Sequence, residues 1–217
     1  MEAVLPVPDS AEDFERLVKS IRILDVVLRK LSAHTAGENT YNRHQAVASK
    51  LIPSSATIVY GIHALLAEYL LIPAEILFRS LTDRVSTLTY LHKNGDAGLD
   101  SWEKGWSLSS GPSFSKKLES LPNQFSLSGV SDEFEIGWIK EKLVELKKSM
   151  NGTVHGSIES TEKTIITKEA AYNLHLIGAD RENVGYRKNL CTLTCVLVFL
   201  LIFEIEESFW PKLEVSE

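Results

Sequence analysis

The feature that most constrains this chain is the spacing of its apolar residues. Phe14, Leu17, Val18, Ile21, Leu24, Leu28 and Leu31 recur at steps of three and four. On a helix such residues form one stripe, and that stripe must be covered by another element. Ser10-Ala11-Glu12-Asp13 places a hydroxyl cap and acids ahead of it, and Thr35-Ala36-Gly37-Glu38-Asn39 ends it. The stretch from Tyr41 to Leu71 reads as a second helix bent at Pro53, and its half from Ile58 onward is apolar nearly all round. Pro73 starts a third, with Leu77, Leu81, Val85, Leu88 and Leu91 as its buried face and Asn94-Gly95 as its stop. Ile136, Ile139, Leu143, Leu146 and Met150 make a later seam behind the cap Ser131-Asp132-Glu133. A short helix is expected from Lys168 to Ile177, and a last long one from about Asp180 to Phe209. No strand-period pattern of any length appears, and no internal repeat. The expected fold is all-α: an up-and-down bundle of about five or six main helices in one domain spanning 1–217.

Residues 95–130 differ in composition. Leu108-Ser109-Ser110-Gly111-Pro112-Ser113 and Ser126-Leu127-Ser128-Gly129 carry turn-forming residues, so this stretch is expected to be an irregular excursion inserted on the bundle. Trp102 and Trp106, four apart, are expected to pack it down. The segment from Asn189 to Phe203 holds no charge, but it is shorter than the roughly 20 apolar residues a spanning helix needs and runs into Glu204, Glu206 and Glu207. A core helix is the expected reading, with no membrane contact.

The formal net charge is -6 over 217 residues, which argues against a broad cationic surface for duplex nucleic acid and leaves room for a local one. Cys191 and Cys195 sit four apart in an apolar run and read as reduced core thiols. With no basic leader before an apolar stretch, the expected location is cytoplasmic. Phosphate loops, dinucleotide turns, zinc-protease helices and nucleophile elbows are absent from the sequence. His34, His44, His63, His92, His155 and His175 are scattered, and none pairs with another at ligand spacing within a helix, so no metal or cofactor is expected.

One spot remains. In Lys148-Ser149-Met150-Asn151-Gly152-Thr153-Val154-His155-Gly156, the residues Lys148, Asn151 and His155 stand at i, i+3 and i+7 and line one helical stripe. The apolar seam of the same helix points nearly the opposite way. A cation, an amide and an imidazole in one row suit a phosphate, and the imidazole titrates near neutral pH. The competing reading is a solvated helix face ending at Asn-Gly. Elsewhere Glu75, Arg79 and Asp83 are spaced as an ion-pair ladder, with phosphate binding by Arg79 or Arg84 as the alternative. His63 reads as a core histidine.

Pro73-Ala74-Glu75-Ile76-Leu77-Phe78-Arg79-Ser80-Leu81, followed by Leu88-Thr89-Tyr90-Leu91 and the late His155-Gly156 pair, resembles a bacterial family of unknown function that is similar to HEPN domains. The resemblance spans about 41–205. It implies an α-helical bundle that forms a homodimer and cleaves or binds RNA without metal, as an effector of a bacterial defence or toxin–antitoxin system. A partner or antitoxin protein goes with that role. It also implies His155 as the acid–base residue, Asn151 as the polar residue that follows the arginine position and Lys148 as the source of phosphate-binding charge. Met150 occupies the position where the family carries arginine. The alternatives are a non-catalytic helical module for dimerisation or partner binding, and a small-ligand bundle using Glu68, Arg79 and His63 if they face inward.

Overall fold

The computed structural model describes residues 8–37, 40–106, 111–127, 134–144, 165–168, 171–174 and 184–209. The architecture is an all-α helical bundle with very little strand. Helix α1 covers Pro8–Ala36, α2 covers Arg43–Ala67, α3 covers Leu71–Glu103 and α4 covers Phe114–Ser120. Residues 137–144 form α5, and Val184–Phe209 form α6. Two short antiparallel pairs accompany them. Gln124–Phe125 (β1) pairs with Phe134–Glu135 (β2), and Ile165–Lys168 (β3) pairs with Ala171–Leu174 (β4).

Helices α1 and α6 lie along one another, α2 packs on α3, and α6 also touches α2 and α3. Leu17, Leu24, Ile52, Val59, Phe78, Leu81, Leu88, Leu197, Leu201 and Ile205 are buried where these helices meet. Cross-links at both ends of α6 fix the directions. Arg187 bonds the Leu66 carbonyl, whereas the Gln45 amide bonds the Ser208 carbonyl, so α6 runs antiparallel to α2. It runs parallel to α3, since His92 meets Glu204. Among the described residues, two helices, Arg43–Ala67 and Gly185–Phe209, are long and apolar enough to cross a membrane by length and composition. The apolar window of the second is 67% buried inside the bundle, as suits a central core helix.

Helix α2 begins with a reciprocal cap. The Asn42 side chain accepts from the Gln45 backbone N–H at 2.8 Å, and the Gln45 side chain accepts from the Asn42 N–H at 3.1 Å. Two orphan donors of the first turn are thereby satisfied. Pro53 stays inside α2 without ending it.

Two expectations about local structure change. Asn94-Gly95 does not stop α3: Gly95 adopts φ 52 and ψ -139, which kinks the helix, and helical structure resumes to Glu103. That backbone region is open almost solely to glycine. The stretch 95–130 is partly irregular in its described part, as expected, and it is seated in the bundle. Its described part places Leu118, Leu121, Phe125 and Leu127 in the main core. Lys117, 7% exposed, reaches Asp83 and, at 3.2 Å, the Thr87 hydroxyl. Trp106 does hold this region down, edge-on to Tyr90 at 5.9 Å. Finally, part of the stretch expected as a helix over 168–177 forms a hairpin, with Lys168 opposite Ala171 and Ile165 opposite Leu174. β-branched Ile165, Ile166 and Thr167 favour the extended backbone.

Candidate metal centre

The first turn of α2 carries Arg43, His44 and Gln45, and the cap at Asn42 fixes how these side chains leave the helix. Beyond the kink, α3 presents Asp96, Asp100 and Glu103 at helical spacing. Arg43 meets all three, at 3.5, 2.6 and 2.9 Å. The clasp holds the guanidinium strongly protonated through its hydrogen bonds to Asp100 and Glu103. It also ties the start of α2 to the end of α3. His44 is thereby brought against His92, which lies one turn before the kink; their rings are 4.6 Å apart and inclined at 61°.

The third member comes from α6. Glu204 is 1% exposed, and its Oε2 lies 3.2 Å from Nδ1 of His92. A carboxylate buried in an apolar helix is costly unless a cation or donors meet it. Among the described residues, His44, His92 and Glu204 are the three that each offer one ligand atom, all within 4.8 Å of one another. In a tetrahedral site with bonds near 2.1 Å, ligand atoms stand about 3.4 Å apart. The His92–Glu204 separation, 3.2 Å, is close to that spacing, and all three ligand atoms stand within 4.8 Å of one another.

The two imidazoles differ in electrostatics. Burial, and then the neighbouring His92, hold the His44 pKa below its ordinary value, with Glu204 opposing. The His92 pKa is raised, first by its hydrogen bond to Glu204 and then by the charges of Glu204 and Glu207, against burial. His44 Nε2 is buried and has no hydrogen-bond partner. A neutral imidazole nitrogen without a partner, beside a second imidazole and a buried carboxylate, is a donor set suited to a cation. Both histidines line a cleft of about 470 Å³ with Asn42, Arg43, Gly95, Asp96, Leu99, Glu207 and Ser208.

The residues singled out from the sequence fare differently. Lys148, Asn151 and His155 lie outside the described residues. Arg79 and Arg84 are half-buried on α3, and neither makes an ion pair among the described residues. At about 100° per residue they point about 140° apart, so they do not converge on one phosphate. The Glu75–Arg79–Asp83 ladder does not form. Asp83 pairs with Lys117, and Glu75 is fully buried beside the Tyr186 hydroxyl. Burial, and then Glu75, push that phenol's pKa up. His63 is half-buried and stacks on Phe14 at 5.1 Å, while Glu68 is exposed at the C-cap of α2 and does not face inward.

Sequence spacing missed His44, His92 and Glu204 because they sit on three helices and meet only in the folded bundle. One signal was available: Glu204 is the first charge after the uncharged run from Asn189 to Phe203, and α6 buries it. No family model, no curated protein and no solved structure matches this chain.

Proposed function

We propose that this protein binds one divalent transition-metal ion of the zinc type through His44, His92 and Glu204. The observation that carries the reading is the convergence of those three ligand atoms within 4.8 Å from α2, α3 and α6. The unpartnered His44 Nε2 and the buried Glu204 carboxylate support it. Two imidazoles and one carboxylate suit zinc, nickel, cobalt or ferrous iron. They do not suit calcium or magnesium, which take all-oxygen shells, and no thiolate is present to select cuprous copper. An ion held there joins three helices, so its binding free energy adds to that of folding.

The test is metal analysis of the purified chain after equilibration with zinc, with calorimetric titration in parallel. One ion per chain is expected for the wild type and none for His92→Ala. His92 is partly exposed, so this variant should keep its helical circular dichroism. Equal zinc content in the wild type and a folded His92→Ala would overturn the reading.

A second reading rests on the sequence row Lys148, Asn151 and His155 and on the resemblance to HEPN domains; the all-α bundle supports it. On this reading the chain acts on RNA without metal, with His155 moving the proton, or it is a non-catalytic helical module that dimerises or binds a partner. RNA cleavage that persists in chelator and disappears in His155→Ala would favour the catalytic form. A dimer by light scattering that cleaves no RNA would favour the module. The chelator separates this reading from the metal site.

A further inference from the structure

We infer that the ion at this site keeps an exchangeable coordination position facing the cleft, and that the position takes a small monoanionic Lewis base of the carboxylate kind. The inference rests on the metal-binding reading above. Its first support is the ligand count. Closed structural zinc sites use four protein ligands, whereas sites with three keep a position for water or substrate. Among the described residues no fourth histidine, cysteine or carboxylate joins the three within the same distance.

The second support is where the three ligands stand. Glu204 does not line the cleft; it holds the ion from the core side, where its side chain is 2% exposed. Both imidazoles line the cleft, and the His92 side chain is 36% exposed. A coordination position opposite Glu204 therefore opens into the cleft. The third support is size. A volume of about 470 Å³ far exceeds the roughly 30 Å³ share of one liquid water, and it falls in the range of small-molecule sites. Leu99 supplies an apolar wall, and Asn42, Arg43, Gly95, Asp96, Glu207 and Ser208 complete the lining.

Charge selects the occupant. A divalent ion with one carboxylate and two neutral imidazoles leaves one net positive charge, which attracts an anion. Asp96 and Glu207 also line the cleft, and Arg43 is outnumbered by its three carboxylate partners, so the surroundings repel added negative charge. A singly charged ligand is favoured there over a multiply charged one.

Cobalt(II) takes zinc sites and reports its coordination through visible absorption. The full-length chain is loaded with cobalt, and the bound ion is counted. Acetate is then titrated in, with azide as a second monoanion. Saturable change in the cobalt spectrum, with the ion count held at one per chain, is the expected result. An unchanged spectrum with cobalt still bound would mean that the protein fills the position, and the inference would fall while the metal site stood. Loss of cobalt to the added anion would also overturn it, since the anion would then compete with the protein for the ion. Failure of cobalt to bind at all would defeat both readings together.

Discussion

Among the described residues, one polar cluster lies near each end of α6, and the two are built on opposite terms. At the start of α6, Arg187 is 4% exposed, and its Nε donates to the Leu66 carbonyl at 3.0 Å. That carbonyl belongs to the last turn of α2, where intrahelical partners run out. The guanidinium also lies over the rings of Tyr69 and Phe14, at 4.3 and 4.7 Å. Glu75 and Tyr186 sit beside each other in the same region. At the far end, about 25 Å along α6 at about 1.5 Å per residue, His44 has a buried nitrogen without a partner, and the cluster opens into a cleft. The first cluster satisfies its cation with protein groups alone and stabilises the fold. The second leaves a donor unmatched, which costs stability and suits a ligand from outside.

The sharpest way to break this comparison is to remove one member from each end. Arg187→Leu should cost about 3 kcal/mol in denaturant unfolding, through the lost hydrogen bond and both ring contacts. A loss below about 1 kcal/mol would mean that the first cluster is not holding α2, α1 and α6 together. Zinc at a hundredfold over its dissociation constant should stabilise the wild type by about 2.7 kcal/mol, a melting shift of roughly 5–10 °C. The same addition should leave His92→Ala unmoved, while Arg187→Leu should keep the full shift despite its lower starting point.

Gly95→Ala probes the kink that shapes the open end. No atom lies within 4 Å of the added methyl, so the cost is backbone strain alone, about 1–2 kcal/mol. Hydrogen exchange in 96–103 should rise more than in α6. The smallest effect has the opposite sign. His44→Leu should raise the stability of the metal-free chain by about 1 kcal/mol, because it removes a buried unpartnered nitrogen, and it should abolish zinc binding. Because the folded His44 pKa lies below its ordinary 6.5, the stability tied to it is present above that value and is lost as pH falls. His92, whose pKa is raised, contributes in the other sense: its share is full below 6.5 and is lost as pH rises through its folded pKa. Melting curves at about pH 5.5 and about pH 7.5 should therefore show a larger gain for His44→Leu at the lower pH. A loss of stability at both would place His44 among the structural contacts.

The difference between the ends also explains what the sequence could disclose. Helix α1 was legible because Leu17, Ile21, Leu24 and Leu31 keep one phase, and all of them are buried. Core membership of Leu118, Leu121, Phe125 and Leu127 was not, since serine and glycine dilute the period and packing against α3 and α6 decides the outcome. Asn94-Gly95 carried a true local signal, the need for positive φ. It did not reveal that Asp96, Asp100 and Glu103 would fold back onto Arg43 and extend the helix. The β3–β4 pair is too short for alternation to show. Of the site residues proposed from spacing, Arg79 and Arg84 are resolved as separate half-buried side chains, and Lys148, Asn151 and His155 fall outside the described residues. His44, His92 and Glu204 are distant in sequence and meet only through three helix packings. Spacing rules within one helix have no access to such a site.

Helix α6 gives the arrangement one more property. The same rigid rod carries Arg187 at one end and Glu204 at the other, and nothing between them breaks the helix. The two clusters are therefore locked in rotational phase. One residue inserted in the apolar run between them would turn Glu204 by about 100° relative to Arg187, and either the anchor or the ligand would have to leave its place. An insertion of seven, close to two whole turns, would restore the angle but carry the carboxylate about 10 Å past both histidines. The length and pitch of α6 thus act as a gauge, set so that both ends engage at once.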